Sequence, residues 1–248
     1  MEFWYFPLLT FVGVFAGWLN VMAGGGSLLT VPIMLFMGMP GPVANGTNRI
    51  AILAQNITAV TAFFRRGFSD FKLSLSLAAA ATPGAIIGAL VGVQLSGEWF
   101  DRVLALVMIA VMVIMALPKK DPIEATEGTS TKRLIAGHIC MVGAGFWGGF
   151  IQIGVGFLLM PILHRVMGLD LVRVNMHKVF VVLCYTSVAL VIFASKVEIL
   201  WIAGLCLALG NSIGGWIGAN MSVNKGEKLI NRVLNAVLIV FVIKLLFF

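Results

Sequence analysis

Ala23-Gly24-Gly25-Gly26-Ser27-Leu28-Leu29-Thr30-Val31-Pro32 breaks a long apolar stretch in the first half of the chain, and Gly154-Val155-Gly156-Phe157-Leu158-Leu159-Met160-Pro161 does the same in the second. Glycines that interrupt apolar segments at corresponding places in two halves are the mark of a transporter built from internal repeats. The correspondence extends outward from the glycines. An offset of 129 pairs Pro32 with Pro161, Asn48 with His177 and Arg49 with Lys178. An offset of 130 then brings Gly84-x3-Gly88 onto Gly214-x3-Gly218, and Asp101-Arg102-Val103-Leu104 onto Asn231-Arg232-Val233-Leu234. Small residues one turn apart let helices approach closely, so the Gly-x3-Gly pairs are read as packing sites.

Composition points the same way. Of the 248 residues, 60% are hydrophobic and 11% charged, and the mean hydropathy is +1.04. Soluble domains carry about 25% charge, which excludes that class. At least six apolar runs reach the ~20 residues that a bilayer crossing needs. The net charge of +7 comes from basic residues gathered in particular loops, which excludes a nucleic-acid role as the reason for it. Cys140, Cys184 and Cys206 lie inside apolar runs, match no metal-site spacing and are read as small core-filling side chains. The amino terminus, Met1-Glu2-Phe3-Trp4-Tyr5, lacks a basic flank and reads as the start of a retained first span.

Hydropathy and breaks predict an all-α polytopic membrane protein. Five segments are expected in the first half (4–22, 27–39, 48–64, 73–95 and 102–117) and five in the second (134–153, 157–168, 176–194, 199–222 and 232–248). The second segment of each half is too short for a full span. Each half is therefore read as a glycine-broken helical hairpin plus three transmembrane helices, with residues 1–117 and 134–248 as repeats and 118–133 as a cytoplasmic linker. With an odd number of crossings per half, thirteen basic residues fall on the linker side, Arg65, Arg66, Lys119, Lys120 and Lys178 among them. Four (Arg49, Arg102, Lys196 and Lys244) fall opposite. That bias puts the linker in the cytoplasm, both termini outside, and the halves in inverted orientation.

At these residues the chain resembles the TauE/SafE sulfite-exporter family. The resemblance rests on Gly24-Gly25-Gly26-Ser27-Leu28-Leu29-Thr30-Val31-Pro32, Ala44-Asn45-Gly46-Thr47-Asn48 and Phe64-Arg65-Arg66-Gly67. In the second half it rests on Gly154-x-Gly156-x4-Pro161 and Asn175-Met176-His177-Lys178, and it covers about residues 8–247. It implies a multi-pass permease of the bacterial inner membrane for sulfite, sulfonates or related small organic anions. The family often has Thr-Ser where this chain has Thr47-Asn48.

The candidate substrate-binding residues are Gly24, Gly25, Gly26, Ser27, Gly154 and Gly156 of the breaks, with Thr47, Asn48, Arg49 and Gln55 of the third segment. Asn175, His177 and Lys178 are their second-half counterparts. Backbone groups freed at membrane depth must face protein or a polar cavity, and a helix restarting at Ser27 would point its amides there. Asn45, Asn48, Arg49, Gln55 and Asn56 fall on one helical stripe that should face the bundle interior. Arg49 suits bidentate contact with an oxyanion, or else snorkels to the outer interface. Lys178 attracts the anion or anchors the cytoplasmic side. His177 carries a proton or is a satisfied helix-start residue.

The ten acidic residues all sit at segment ends or in loops, so coupling through an intramembrane carboxylate is disfavoured. Proton coupling through His177 stays open, as does a homodimer. No nucleotide loop or catalytic motif is present, and no cofactor, metal or enzymatic activity is expected. The expected partners are a small anion and the lipid bilayer. The expected mechanism is alternating access, with a channel or uniporter of the same fold as first rival and a membrane-embedded enzyme as second.

Overall fold

The computed structural model describes residues 3–95, 97–100, a few positions between 102 and 109, and 130–247, with side chains described as far as Asn224. Among the described residues every regular element is helical. The helices are α1 (Tyr5–Ala23), α2 (Ser27–Phe36), α3 (Gly41–Arg65), α4 (Phe71–Gly92), α5 (Thr131–Phe150), α6 (Val155–Pro161, continued by a π-helical turn Ile162–Val166), α7 (Leu171–Lys196) and α8 (Trp201–Phe247). Most of the expected segment 102–117 and most of the linker lie outside the described residues.

Local chemistry sets the boundaries. Gly24 ends α1 in the left-handed region at φ 83°, its N–H bonding back to the carbonyls of Leu19 and Asn20. Pro40 precedes α3 and Pro42 sits in its first turn, where a missing N–H costs nothing. Acidic side chains found at segment ends serve as caps. Asp70 accepts from the Leu73 N–H at the start of α4, and Asp170 accepts from Val172 and Arg173 at the start of α7.

α1, α4, α7 and the Trp201–Asn224 part of α8 are long and apolar enough to cross a membrane. α3 has the length, at 25 residues, but its polar stripe lowers its hydropathy. That stripe is buried, and α3 is shut off on all sides from Ala44 to Ile52, as α7 is from Val174 to Val179. These two helices form the centre of the bundle. The outside is apolar: Ile87 and Leu90 of α4, Ile139 of α5, Val191 of α7 and Leu205 and Leu209 of α8 are exposed. Polar residues inside and aliphatic ones outside suit a lipid surrounding.

Glycine stripes set the packing. α1 lies along α8, with Gly13 and Gly17 against the backbone of Leu207 to Asn211, and Gly210 and Gly214 against Thr10, Val14 and Trp18. α4 lies along α5 in the same manner, Gly84 and Gly88 meeting Val142 and Phe146 while Gly145 and Gly149 meet Ala81 and Ala85. The expected Gly-x3-Gly packing sites are thus backbone-to-backbone contacts. Gly145→Val pushes a side chain into the Ala81 carbonyl and is expected to cost about 1–3 kcal/mol. Thermal unfolding in detergent checks this against Gly143→Ala, which enters open space on the same helix and should leave the midpoint unchanged or raised.

The carboxy-terminal end differs from the expectation of two segments, 199–222 and 232–248. The backbone from Trp201 to Phe247 is one uninterrupted helix of 47 residues. The stretch 223–231 between the two apolar runs contains no proline, and its Lys, Glu, Leu and Ile carry the helix past the single Gly226.

Candidate functional site

The two glycine breaks meet at the centre of the molecule. Gly24 and Gly156 lie so close that a Cβ on either would run into the backbone of the other. A Cβ on Gly25 would come within 2.9 Å of the Phe157 ring, and one on Gly26 would strike the Ala16 carbonyl. Gly154 is left-handed at φ 71°, and so is Gln152 at φ 64°, a side-chain-bearing residue in a conformation that normally selects glycine. Residues 21–28 and 151–157 are buried, so the interrupted backbone faces protein, as membrane depth demands. The Trp147 indole donates to the Ile153 carbonyl at 3.0 Å, satisfying part of the second break.

Each helix that stops at a break is capped by a cation from the other half. Arg49 of α3 donates through its two terminal nitrogens to the carbonyls of Gly148 (3.0 Å) and Gly149 at the end of α5, and its guanidinium stands 4.3 Å over the Phe193 ring. Asn45 adds a bond to the Phe150 carbonyl at 3.1 Å. Lys178 of α7 donates to the Val21 carbonyl at the end of α1 (2.7 Å) and to Asn175 Oδ1 (2.8 Å). Helix carboxy-terminal ends carry partial negative charge, which favours cations there.

Neither cation has a carboxylate. Arg49 is 0% and Lys178 3% exposed, and no Asp or Glu is buried among the described residues. The ion pair that is seen, Arg173 with Asp170, lies at the surface. Full burial removes the snorkelling reading of Arg49.

A polar cavity lies between the breaks, lined by Asn20, Ser27, Gln55, Asn56, Gln152, Gly156 and Lys178 with Val155, Val179 and Val182. It has room for about one water molecule. Gln55 Oε1 accepts from Asn20 (3.2 Å) and from Asn211 (3.3 Å). Lys178 uses two of its three N–H donors on protein, leaving a third.

Of the sequence-predicted residues, Ser27, Gln55, Gly156 and Lys178 line this cavity, and Gly24, Gly25, Gly26 and Gly154 shape the breaks beside it. Asn175 holds Lys178. Asn48 bridges Thr30 Oγ1 (2.7 Å) and Ser27 Oγ (3.2 Å), tying α2 to α3. Thr47 accepts from the Leu200 N–H at the entrance to α8. His177 faces away toward α4, its Nδ1 2.8 Å from Ser74 Oγ. His138 and His164 are held by the carbonyls of Leu134 and Leu169.

Asn20, Gln152 and Asn211 are functional candidates that sequence reasoning missed. A carboxamide isolated in an apolar run and close to a glycine break was the available signal for Asn20 and Gln152.

A family model described as "Sulfite exporter TauE/SafE" matches residues 9–245. The chain is 28% identical over 244 residues to "Probable membrane transporter protein ORF9" of a Sinorhizobium species, covering 97% of this chain and 93% of the relative. It is 25% identical over 247 residues to "Probable membrane transporter protein YfcA" of Escherichia coli strain K12, covering 97% and 89%. A "Probable membrane transporter protein" of Haemophilus influenzae matches at 25% over 224 residues, covering 90% and 87%. No solved structure matches.

Proposed function

The chain belongs to the TauE/SafE sulfite exporter family, and we propose that within it this protein is a secondary transporter moving a small oxyanion, sulfite or a sulfonate, through the cavity between the two breaks. The observation that carries this reading is the pair of buried cations, with no carboxylate buried among the described residues. Charge inside a bilayer costs several kcal/mol unless matched, and two partial helix-end charges of about half an electron each leave a surplus. A bound anion removes that surplus. The cavity adds the neutral amide donors of Asn20 and Gln55, which orient an oxyanion beside the third donor of Lys178.

Residues 1–117 and 134–248 act as inverted repeats joined by a cytoplasmic linker, with both termini outside. The reciprocity of the contacts supports this. α1 on α8 is matched by α4 on α5, and Arg49 on the end of α5 by Lys178 on the end of α1. Alternating access follows as one repeat rocking against the other about the Gly24–Gly156 contact. The direction is export, assisted by a cytoplasm-negative potential worth about 2.3 kcal/mol per charge per 100 mV. His177, bonded to Ser74 and next in sequence to Lys178, is the place where a proton would couple.

Purified protein in proteoliposomes tests the reading by concentration jumps of sulfite, methanesulfonate, sulfate and acetate, recorded as transient current on a solid-supported membrane. The expected result is a saturable current for sulfite or the sulfonate, with radiolabel uptake accelerated by the same anion on the far side. Saturable current without that acceleration would make the protein a uniporter or channel. No flux with any anion, by current or by radiolabel uptake, would refute anion transport.

A further inference from the structure

Beside the Arg49 guanidinium a set of buried polar atoms has no partner. Arg49 Nε, Gln152 Oε1, Tyr185 Oη and Thr186 Oγ1 are sealed from solvent and make no hydrogen bond. Their residues are 0%, 2%, 0% and 0% exposed. They are neighbours. The Tyr185 ring packs on Gly148, whose carbonyl accepts from Arg49, and the Tyr185 hydroxyl is within interaction range of Arg49, Gln152 and Thr186 without completing a hydrogen bond to any of them. Folded proteins leave few such groups, and four in one place call for an explanation.

The repeat supplies one. Four polar groups of the Lys178 cavity, Asn20, Gln55, Asn56 and Lys178, have counterparts in this cluster. Gln152 stands 132 residues after Asn20, the same offset that relates Gly145 and Gly149 to Gly13 and Gly17. Tyr185 and Thr186 stand 130 after Gln55 and Asn56, and Lys178 stands 129 after Arg49. In both sets a carboxamide near a break and two polar side chains from one half meet a cation from the other.

Resting on the reading of the chain as an anion transporter, we propose that Arg49, Tyr185, Thr186 and Gln152 form a second oxyanion subsite, the repeat-related mate of the Lys178 cavity, which receives the anion when the halves rock. Its ligand is an oxyanion with at least two acceptor oxygens. The Nε–H of Arg49 and the hydroxyls of Tyr185 and Thr186 supply three donors to it. Gln152 belongs to both sets, lining the cavity and adjoining Tyr185, so it forms the wall the anion passes.

The test uses the double variant Tyr185→Phe/Thr186→Val, which keeps side-chain volume and removes only the two hydroxyls. Removing unpartnered buried hydroxyls leaves the ligand-free thermal midpoint unchanged or raised. Sulfite binding to the purified variant, followed by calorimetry, should stay within about threefold of wild type because the Lys178 subsite is intact, while saturating sulfite flux in proteoliposomes falls at least about tenfold. The single variants Tyr185→Phe and Thr186→Val stand in if the double variant does not fold. Unchanged flux overturns the second subsite and leaves anion transport standing. Loss of binding and flux together also overturns it, because the hydroxyls would then belong to the first subsite. A wild type that neither binds nor moves sulfite or methanesulfonate removes the transport reading, and the subsite with it.

Discussion

Lys178→Met is expected to reduce sulfite-driven current at least about 30-fold, because truncating one partner of a buried, hydrogen-bonded charge pair costs about 2–5 kcal/mol. Lys178 is the cation that lines the cavity, and its amino group is held in place by the Val21 carbonyl and Asn175 Oδ1. Methionine fills nearly the same volume without charge, so the fold loses two hydrogen bonds but also the cost of burying an ammonium. The ligand-free thermal midpoint should therefore move little. Ligand stabilisation separates function from folding: sulfite raises the wild-type midpoint and leaves that of the variant unmoved. Lys178→Arg should not restore transport, because a planar guanidinium cannot reproduce a compact ammonium between those two acceptors. Full current in the methionine variant would remove Lys178 from the path. Arg49 is a poorer first target, since its loss uncaps two carbonyls, Gly148 and Gly149, and empties the face of the Phe193 ring, where Lys178 caps Val21 alone.

The sequence carried the central geometry of this site only in part, and the reasons are physical. The breaks were legible because glycine triplets and Gly-x-Gly runs have few other uses inside apolar segments, and Gly24 and Gly154 do adopt that role, both in the left-handed region. The polar stripe on α3 was legible for the same reason: asparagine, glutamine and arginine within a span must turn inward. The division of labour along that stripe was not. Asn48 carries the same carboxamide as Gln55 and Thr47 a hydroxyl that also bonds both ways, yet Asn48 locks α2 and Thr47 holds the start of α8, while Gln55 reaches the cavity. Helical periodicity gives the face of a residue but not which neighbouring helix end stands opposite it. The capping of α5 by Arg49 and of α1 by Lys178 depends on contacts about 100 and 157 positions apart, beyond any local pattern. The long final helix was misread as two because a charged interval resembles a loop when only hydropathy is followed.

Gly24→Ala is expected to be the most damaging single methyl group in the protein. Two costs add at this position. The left-handed backbone at φ 83° is worth about 1–2 kcal/mol against any residue with a Cβ. The added carbon also points into the Gly156 backbone, which has no rotamer to give way, so overpacking adds about 1–3 kcal/mol. Gly38→Ala separates the terms, because Gly38 has nearly the same φ, 81°, with nothing near its Cβ. Its loss should be the backbone term alone. For a chain of this size 1 kcal/mol corresponds to about 2–4 °C, so the two variants should unfold about 2–12 °C apart, Gly24→Ala lower. Transport should separate them further. If the halves rock about the Gly24–Gly156 contact, a methyl group there obstructs every position of the motion, and flux falls even in the fraction that folds. Equal thermal midpoints and equal flux for the two alanine variants would mean that the breaks do not touch in the working protein, and the pivot would have to lie elsewhere.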